Sequence, residues 1–211
     1  MASRFECITA YLDEVGSLLS SIPLQPIDEI IDALLLAHRY GRTIYVIGNG
    51  GSAATASHFA CDLQKWTIST GQHRVRAVAL TDNMPIFSAW ANDEGYDQGF
   101  EQQLRALLNP GDVVVAISGS GRSPNVINAV QYAAAQGAIT IGLTGYQGGE
   151  LLRITDHCVV VPSERMNQIE DVHMTLCHLI ADMMRRALAQ RDDLSLARSP
   201  SIGLQANMTG A

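Results

Sequence analysis

Residues 43–54 read Thr43-Ile44-Tyr45-Val46-Ile47-Gly48-Asn49-Gly50-Gly51-Ser52-Ala53-Ala54. A run of β-branched and aromatic residues without polar alternation, closed by glycines and followed by small residues, predicts a strand buried on both faces that turns tightly into a helix. The same pattern recurs along the chain. Thr43–Ile47, Val75–Leu80, Val113–Ile117, Ile139–Leu143 and Cys158–Val161 are the expected strands. Between them lie helical patterns at 52–65, 84–91, 95–108 and 124–136, a short turn near 148–154, and a long helix over 164–190. Near-continuous apolar strands alternating with helices define an α/β fold, a three-layer, doubly wound, five-stranded parallel sheet.

Two helices precede the sheet. Phe5, Ile8, Leu12, Val15 and Leu19 fall near helical spacing over 3–20, and Ile27, Ile30, Ile31, Leu34 and Leu35 follow Pro26 in a second helix ending at Gly41. An N-terminal helical hairpin over 1–41 and a long C-terminal helix therefore frame a single domain of residues 1–190. Residues 191–211, with Ser195, Ser199, Pro200, Ser201, Gly203 and Gly210, lose the apolar period and are expected to form a disordered tail.

Length and composition narrow the function. At 211 residues the chain suits one sizeable core, and 47 % hydrophobic against 17 % charged residues excludes disorder for its body. The low charge points to surface covered in an oligomer. Fourteen basic against twenty-one acidic residues give a net charge of −7 without a basic run, which argues against nucleic acid or a membrane as partner. Cys7, Cys61, Cys158 and Cys177 are scattered without a C-x-x-C pair and read as reduced packing residues. Neither a signal peptide nor an apolar span of about 18 residues is found, and the expectation is a cytoplasmic protein.

Two loops point at an anion. In Asn49-Gly50-Gly51-Ser52, glycines permit close backbone approach and a helix begins at once, so unpaired N–H groups face the carboxyl end of the strand. The third strand runs into Ser118-Gly119-Ser120-Gly121-Arg122-Ser123-Pro124, with proline suited to the first turn of the next helix. Hydroxyls and a helix N-terminus converge here as a phosphate requires. Gly48, Gly50 and Ala53 also fit the dinucleotide pattern G-x-G-x-x-G/A. No acidic residue stands about 20 positions on, where that fingerprint needs one, and the second loop would go unexplained, so no nucleotide cofactor is expected. A P-loop is excluded for want of Gly-Lys-Ser/Thr.

Polar pairs occupy two helices. His58 and Asp62, four residues apart, share a face. On the last helix Glu170 and His178 are about 80° apart, whereas His173 and His178 diverge by about 140°, so Glu170 and His178 are the natural pair. Two imidazoles and two carboxylates make a zinc site, His58, Asp62, Glu170 and His178. The same groups could instead move protons directly. His38, His73 and His157 have no comparable company.

The runs Gly48 to Ala54, His58-Phe59-Ala60, Ala91-Asn92-Asp93, Ser118 to Asn125 and Glu170-Asp171-Val172-His173 resemble the phosphoheptose isomerases of the SIS (sugar isomerase) superfamily. The resemblance spans nearly 1–190. It implies a SIS domain, a homotetramer with active sites at subunit interfaces, and conversion of sedoheptulose 7-phosphate to an aldose heptose 7-phosphate. By motif, Ser52, Ser118, Ser120 and Ser123 would hold the phosphate end, Asp93 would contact or shape the sugar site, and His58 and His178 would be metal-ligand or catalytic histidines. Gly119 stands where the family often has threonine, Asp62 where it generally has a catalytic, metal-binding glutamate, and Glu170 where it has glutamine. Asp62 and His178 are thus the expected catalytic pair. Asn49, Gly50, Gly51, Ser52, Asp93, Ser118, Gly119, Ser120, Ser123 and Glu170 are the expected contacts of a phosphorylated sugar, and one zinc per subunit is the expected cofactor. The run Leu143 to Leu151 resembles a related non-catalytic branch, the bacterial replication-initiator-associating proteins, which leaves a tetrameric sugar-phosphate-binding or protein-docking module as the alternative.

Overall fold

A computed structural model describes residues 2–196, with side chains through 190. Five strands, β1 (Thr43–Gly48), β2 (Arg76–Ala79), β3 (Val113–Ser118), β4 (Ile139–Gly145) and β5 (His157–Val161), form one parallel sheet in the order β2-β1-β3-β4-β5. Among the described residues eight helices surround it: α1 (Arg4–Ser21), α2 (Leu24–Arg39), α3 (Gly51–Lys65), α4 (Met84–Asp93), α5 (Glu101–Leu107), α6 (Pro124–Ala135), α7 (Leu151–Ile154) and α8 (Met166–Leu196). The α/β fold, its five parallel strands and the framing helices match the expectation. Among the described residues no helix is long and apolar enough to cross a membrane.

Strand alternation divides the core in two. Ile44, Val46, Val113, Val115, Ile117, Ile141 and Leu143 face Leu34 of α2, Phe59 and Leu63 of α3, and Val172, Leu176 and Ile180 of α8. Tyr45, Ile47, Val114 and Ala116 turn the other way, toward Phe87 of α4, Phe100 and Leu104 by α5, and Val126 and Val130 of α6. Consecutive residues of one strand thus feed opposite cores, which is why the strands lack polar positions.

Three expectations change. The helix expected over 95–108 is a 3-10 turn, Tyr96–Gln98, followed by α5. Gly95, at φ 110°, and Gly99, whose missing side chain leaves room for the Phe87 ring, interrupt it. Helix α2 begins two residues before Pro26, which sits in the first turn where a backbone N–H has no intrahelical partner. Helix α8 continues to Leu196, beyond the end expected at 190; residues 197–211 of the expected tail lie outside the described residues.

Asp112 ties the sheet together at its amino end. Buried, it accepts the Thr43 N–H on Oδ1 at 2.9 Å and the Asn109 N–H on Oδ2 at 2.8 Å, so β1 and the turn before β3 share one carboxylate. Asp112→Ala strands both donors and should lower stability by about 1–3 kcal/mol, measured as a shift of the urea unfolding midpoint against the parent.

Candidate active site

The order β2-β1-β3 reverses the direction of strand addition between β1 and β3, and such a switch point opens a crevice at the carboxyl ends of the two strands. Both anion-facing loops emerge there side by side, Gly48 pairing with Ile117 at the last register position. A Cβ at Gly48 would lie 2.6 Å from the Ser52 carbonyl oxygen, so only glycine lets the chain fold back into α3. Gly50, the N-cap of α3, has φ 56°.

Among the described residues no side chain caps α3 or α6. Ser123 is the N-cap residue of α6, yet its Oγ lies 3.3 Å from Ser118 Oγ instead of closing on the helix. Ser52 is buried in the first turn of α3, and Ser120 Oγ accepts the Arg122 N–H at 3.3 Å. Two helix N-termini and four hydroxyls therefore border one crevice, an arrangement that stabilises negative charge. The loop after β4 backs it: Gly145 N–H donates to Gly119 O at 2.8 Å and Glu150 N–H to Gly121 O at 2.8 Å. A cavity of about 320 Å³ lined by Ser120, Arg122, Tyr146, Gln147, Gly149 and Glu164 opens beside this loop.

Further along α3, His58 and Asp62 meet α8. His58 Nε2 lies 2.9 Å from His178 Nε2 and 3.3 Å from Asp62 Oδ2, which is 3.8 Å from His178 Nε2. Three atoms bearing lone pairs converge, and only shared protons or a cation can satisfy all of them. Zinc bound at about 2.0–2.2 Å by two imidazoles and a carboxylate needs ligand atoms roughly 3.3 Å apart, and these three distances bracket that value. Both imidazoles are about half exposed, at 47 % and 53 %, so the cluster is open to a ligand.

Glu170 does not join the cluster, and the metal set of four expected from the sequence is here a set of three. Eight residues at 1.5 Å each put Glu170 about 12 Å from His178 along α8, a separation that angular agreement alone conceals. Its carboxylate instead lies over Gly51, where any side-chain carbon would collide with it. Gly119 is similarly covered by Met166, whose Sδ would be 2.5 Å from an added Cβ. Asp93 ends α4, exposed, and accepts from its neighbour Asn92 at 2.8 Å. Asn49 bonds Asn125 and Tyr96. Tyr96, Asn125 and Met166 were unassigned by sequence reasoning; only Asn125, inside a quoted motif, carried any signal.

His173 points away from the cluster, into the core. Its Nε2 lies 3.1 Å from the Thr144 carbonyl, and among the described residues its Nδ1 has no hydrogen-bond partner. Burial pushes its pKa down to about 4, against a weaker upward pull from the Thr144 bond. Next to His178, burial holds the Cys177 thiol well above its usual range, with the nearby Asp62 charge adding to the effect, so this cysteine packs and does not react.

A model of the SIS domain family matches residues 10–145. The chain is 39 % identical to the phosphoheptose isomerase of Maridesulfovibrio salexigens over 79 % of this chain and 82 % of that one. It is 41 % identical to the phosphoheptose isomerase of Geobacter metallireducens over 74 % and 82 %. The solved phosphoheptose isomerase of Neisseria gonorrhoeae superposes with a TM-score of 0.81 at 33 % identity, covering 87 % of this chain and all of that one.

The buried His173 links stability to acid. Its folded pKa of about 4 lies below the unfolded value of 6.5, so the unfolded chain binds the extra proton as pH falls from 6.5 to 4. The folded state should lose stability through that window, and His173→Gln should flatten this part of a plot of urea midpoint against pH.

Proposed function

The chain belongs to the SIS domain family, in its phosphoheptose isomerase branch, and from that premise we propose that it interconverts sedoheptulose 7-phosphate and an aldose heptose 7-phosphate. One observation carries the reading: α3 begins at the anion crevice and carries His58 and Asp62 two turns further on. Six residues from Ser52 to His58 span about 9 Å, which suits a substrate with its phosphate at one end and its carbonyl at the other.

The reaction moves a proton between adjacent carbons and redistributes one between their oxygens, so it needs a base, an acid and stabilisation of an enediolate. Asp62 is the base: Oδ2 faces the imidazoles, leaving Oδ1 to take the proton from one carbon and return it to the next. His178 is the acid that exchanges the proton on the oxygens, or a metal ligand, and His58 holds Asp62 and His178 in register. Ser52, Ser118, Ser120 and Ser123, with the backbone N–H groups of Gly50, Gly51 and Gly119, hold the phosphate. Asp93 and Glu170 accept bonds from sugar hydroxyls. His58, Asp62 and His178 would hold one zinc per subunit, which when bound supplies Lewis-acid polarisation of the carbonyl. The substrate's oxidation level is unchanged, so the chemistry calls for no nucleotide cofactor.

A homotetramer with sites at subunit interfaces completes the proposal. Helix α1 buries none of its residues, and Phe5, Ile8 and Leu12 are 79 %, 53 % and 65 % exposed. Polar contacts hold it to α8 and the residue before α8: Tyr11 Oη donates to Asp171 at 2.5 Å, Gln168 Nε2 to Glu14 at 2.6 Å, and Arg165 pairs with Glu14. An apolar stripe of this kind on a fixed helix marks a surface for association.

In a coupled assay the zinc-loaded protein should turn over sedoheptulose 7-phosphate. Asp62→Asn should lower kcat/KM by about 10²-fold or more and reduce the zinc retained on gel filtration, read by elemental analysis. Thermal stabilisation by sugar phosphates without turnover of any would instead assign a binding or docking module. Light scattering should give a tetramer that Phe5→Glu with Leu12→Glu breaks down; a parent monomer near 22.7 kDa would contradict the assembly.

A further inference from the structure

Backbone pairing between β1 and β3 stops at Gly48 and Ile117. Beyond it, among the described residues, no backbone hydrogen bond joins 49–52 to 118–125. Side chains take over. Asn49 Nδ2 donates to Asn125 Oδ1 at 2.9 Å, and Asn125 Nδ2 donates back to Asn49 Oδ1 at 2.9 Å, closing a two-bond ring across the crevice. Asn125 lies in the first turn of α6 and is 1 % exposed. The Tyr96 hydroxyl donates a further bond to Asn49 Oδ1 at 3.0 Å, and one turn along α6 Asn128 Nδ2 donates to the Asp97 carbonyl at 3.3 Å. The loop after β1, the 3-10 turn and the start of α6 are thus joined in a closed circuit.

The donor and acceptor count gives this circuit its meaning. An amide oxygen has two lone pairs, and both of those on Asn49 are taken, by Asn125 and by Tyr96. The Asn49 oxygen is therefore committed within the protein, and its loop offers a ligand only donors: backbone N–H groups, the Ser52 hydroxyl and the second hydrogen of Asn49 Nδ2. An anion held by the N-termini of α3 and α6 together must reach donors on both at about 2.7–3.2 Å, so the spacing of the two helices decides how well it binds. We propose that Asn125 is a positioning residue for the phosphorylated-sugar site: through its paired amide with Asn49 it sets the distance between the two helix N-termini, and Tyr96 is the outer lock on that pair. The proposal rests on the reading that both loops hold the phosphate.

Two variants test it in the full-length, zinc-loaded protein. Asn125→Asp preserves size but replaces a donor by an acceptor, setting oxygen against Asn49 Oδ1. Tyr96→Phe removes only the outer bond, at a residue 56 % exposed. The measurements are kcat and KM for sedoheptulose 7-phosphate, the inhibition constant of inorganic phosphate, and the melting temperature. KM and the phosphate constant should rise together, about tenfold or more in Asn125→Asp and about two- to fivefold in Tyr96→Phe; kcat should change less than either, and Tyr96→Phe should melt with the parent. A folded Asn125→Asp with both constants within about twofold of the parent overturns the proposal. If Asn125→Asp does not fold, unchanged constants in Tyr96→Phe overturn it equally. A parent that phosphate does not inhibit would overturn the phosphate reading itself, a failure visible before any variant is compared.

Discussion

Between β1 and β3 the chain changes the direction in which it adds strands, and the two following helices leave the sheet on opposite faces, α3 toward one core and α6 toward the other. Adjacent strands that diverge in this way cannot close the gap above them with backbone bonds. The gap is bordered by helix N-termini whose N–H groups no side chain caps. Unpaired donors are costly to bury and are tolerated where a ligand or water meets them. The crevice is thus a consequence of topology, and its serines line what the switch point already creates.

The second part of the site depends on how α3 packs against α8. Phe59 and Leu63 turn inward against Val172, Leu176 and Ile180, which leaves His58 and Asp62 on the outer flank of α3, where His178 meets them. The helical period then separates the two histidines of α8. His173 is buried against the Thr144 carbonyl of β4 and held neutral, whereas His178 stays at the surface against His58 and Asp62. One helix thus carries a buried and an exposed imidazole five residues apart.

Most of the fold was legible because its signals are local. A strand buried on both faces must be apolar at every position, so Val113–Ile117 and Thr43–Ile47 declared themselves, and glycine and serine marked the turns that follow. The helix expected over 95–108 failed because its apolar period continues through Gly99, while the break depends on the Phe87 ring, which comes from another helix. Helix α1 shows the same limit from the other side. Its stripe of Phe5, Ile8 and Leu12 is plain in the sequence, but the stripe does not say that these side chains stay off the chain's own core.

Within the site, angular reasoning on a helix correctly separated His173 from His178, because rotation per residue is a property of the backbone. It placed Glu170 wrongly, because rotation ignores rise: two residues on one stripe can be too far apart along the axis to share an ion. By itself the sequence determined the α/β class, the two glycine- and serine-rich loops and the residues able to do acid–base or metal chemistry. Periodicity and backbone permissiveness are written residue by residue. Only the tertiary structure decided that the Asn49 oxygen is shared by Asn125 and Tyr96, that Met166 covers Gly119, and that Glu170 lies against Gly51. Those pairings join segments tens of residues apart, and the distances between such segments are set by how helices seat on the sheet, which no local pattern encodes.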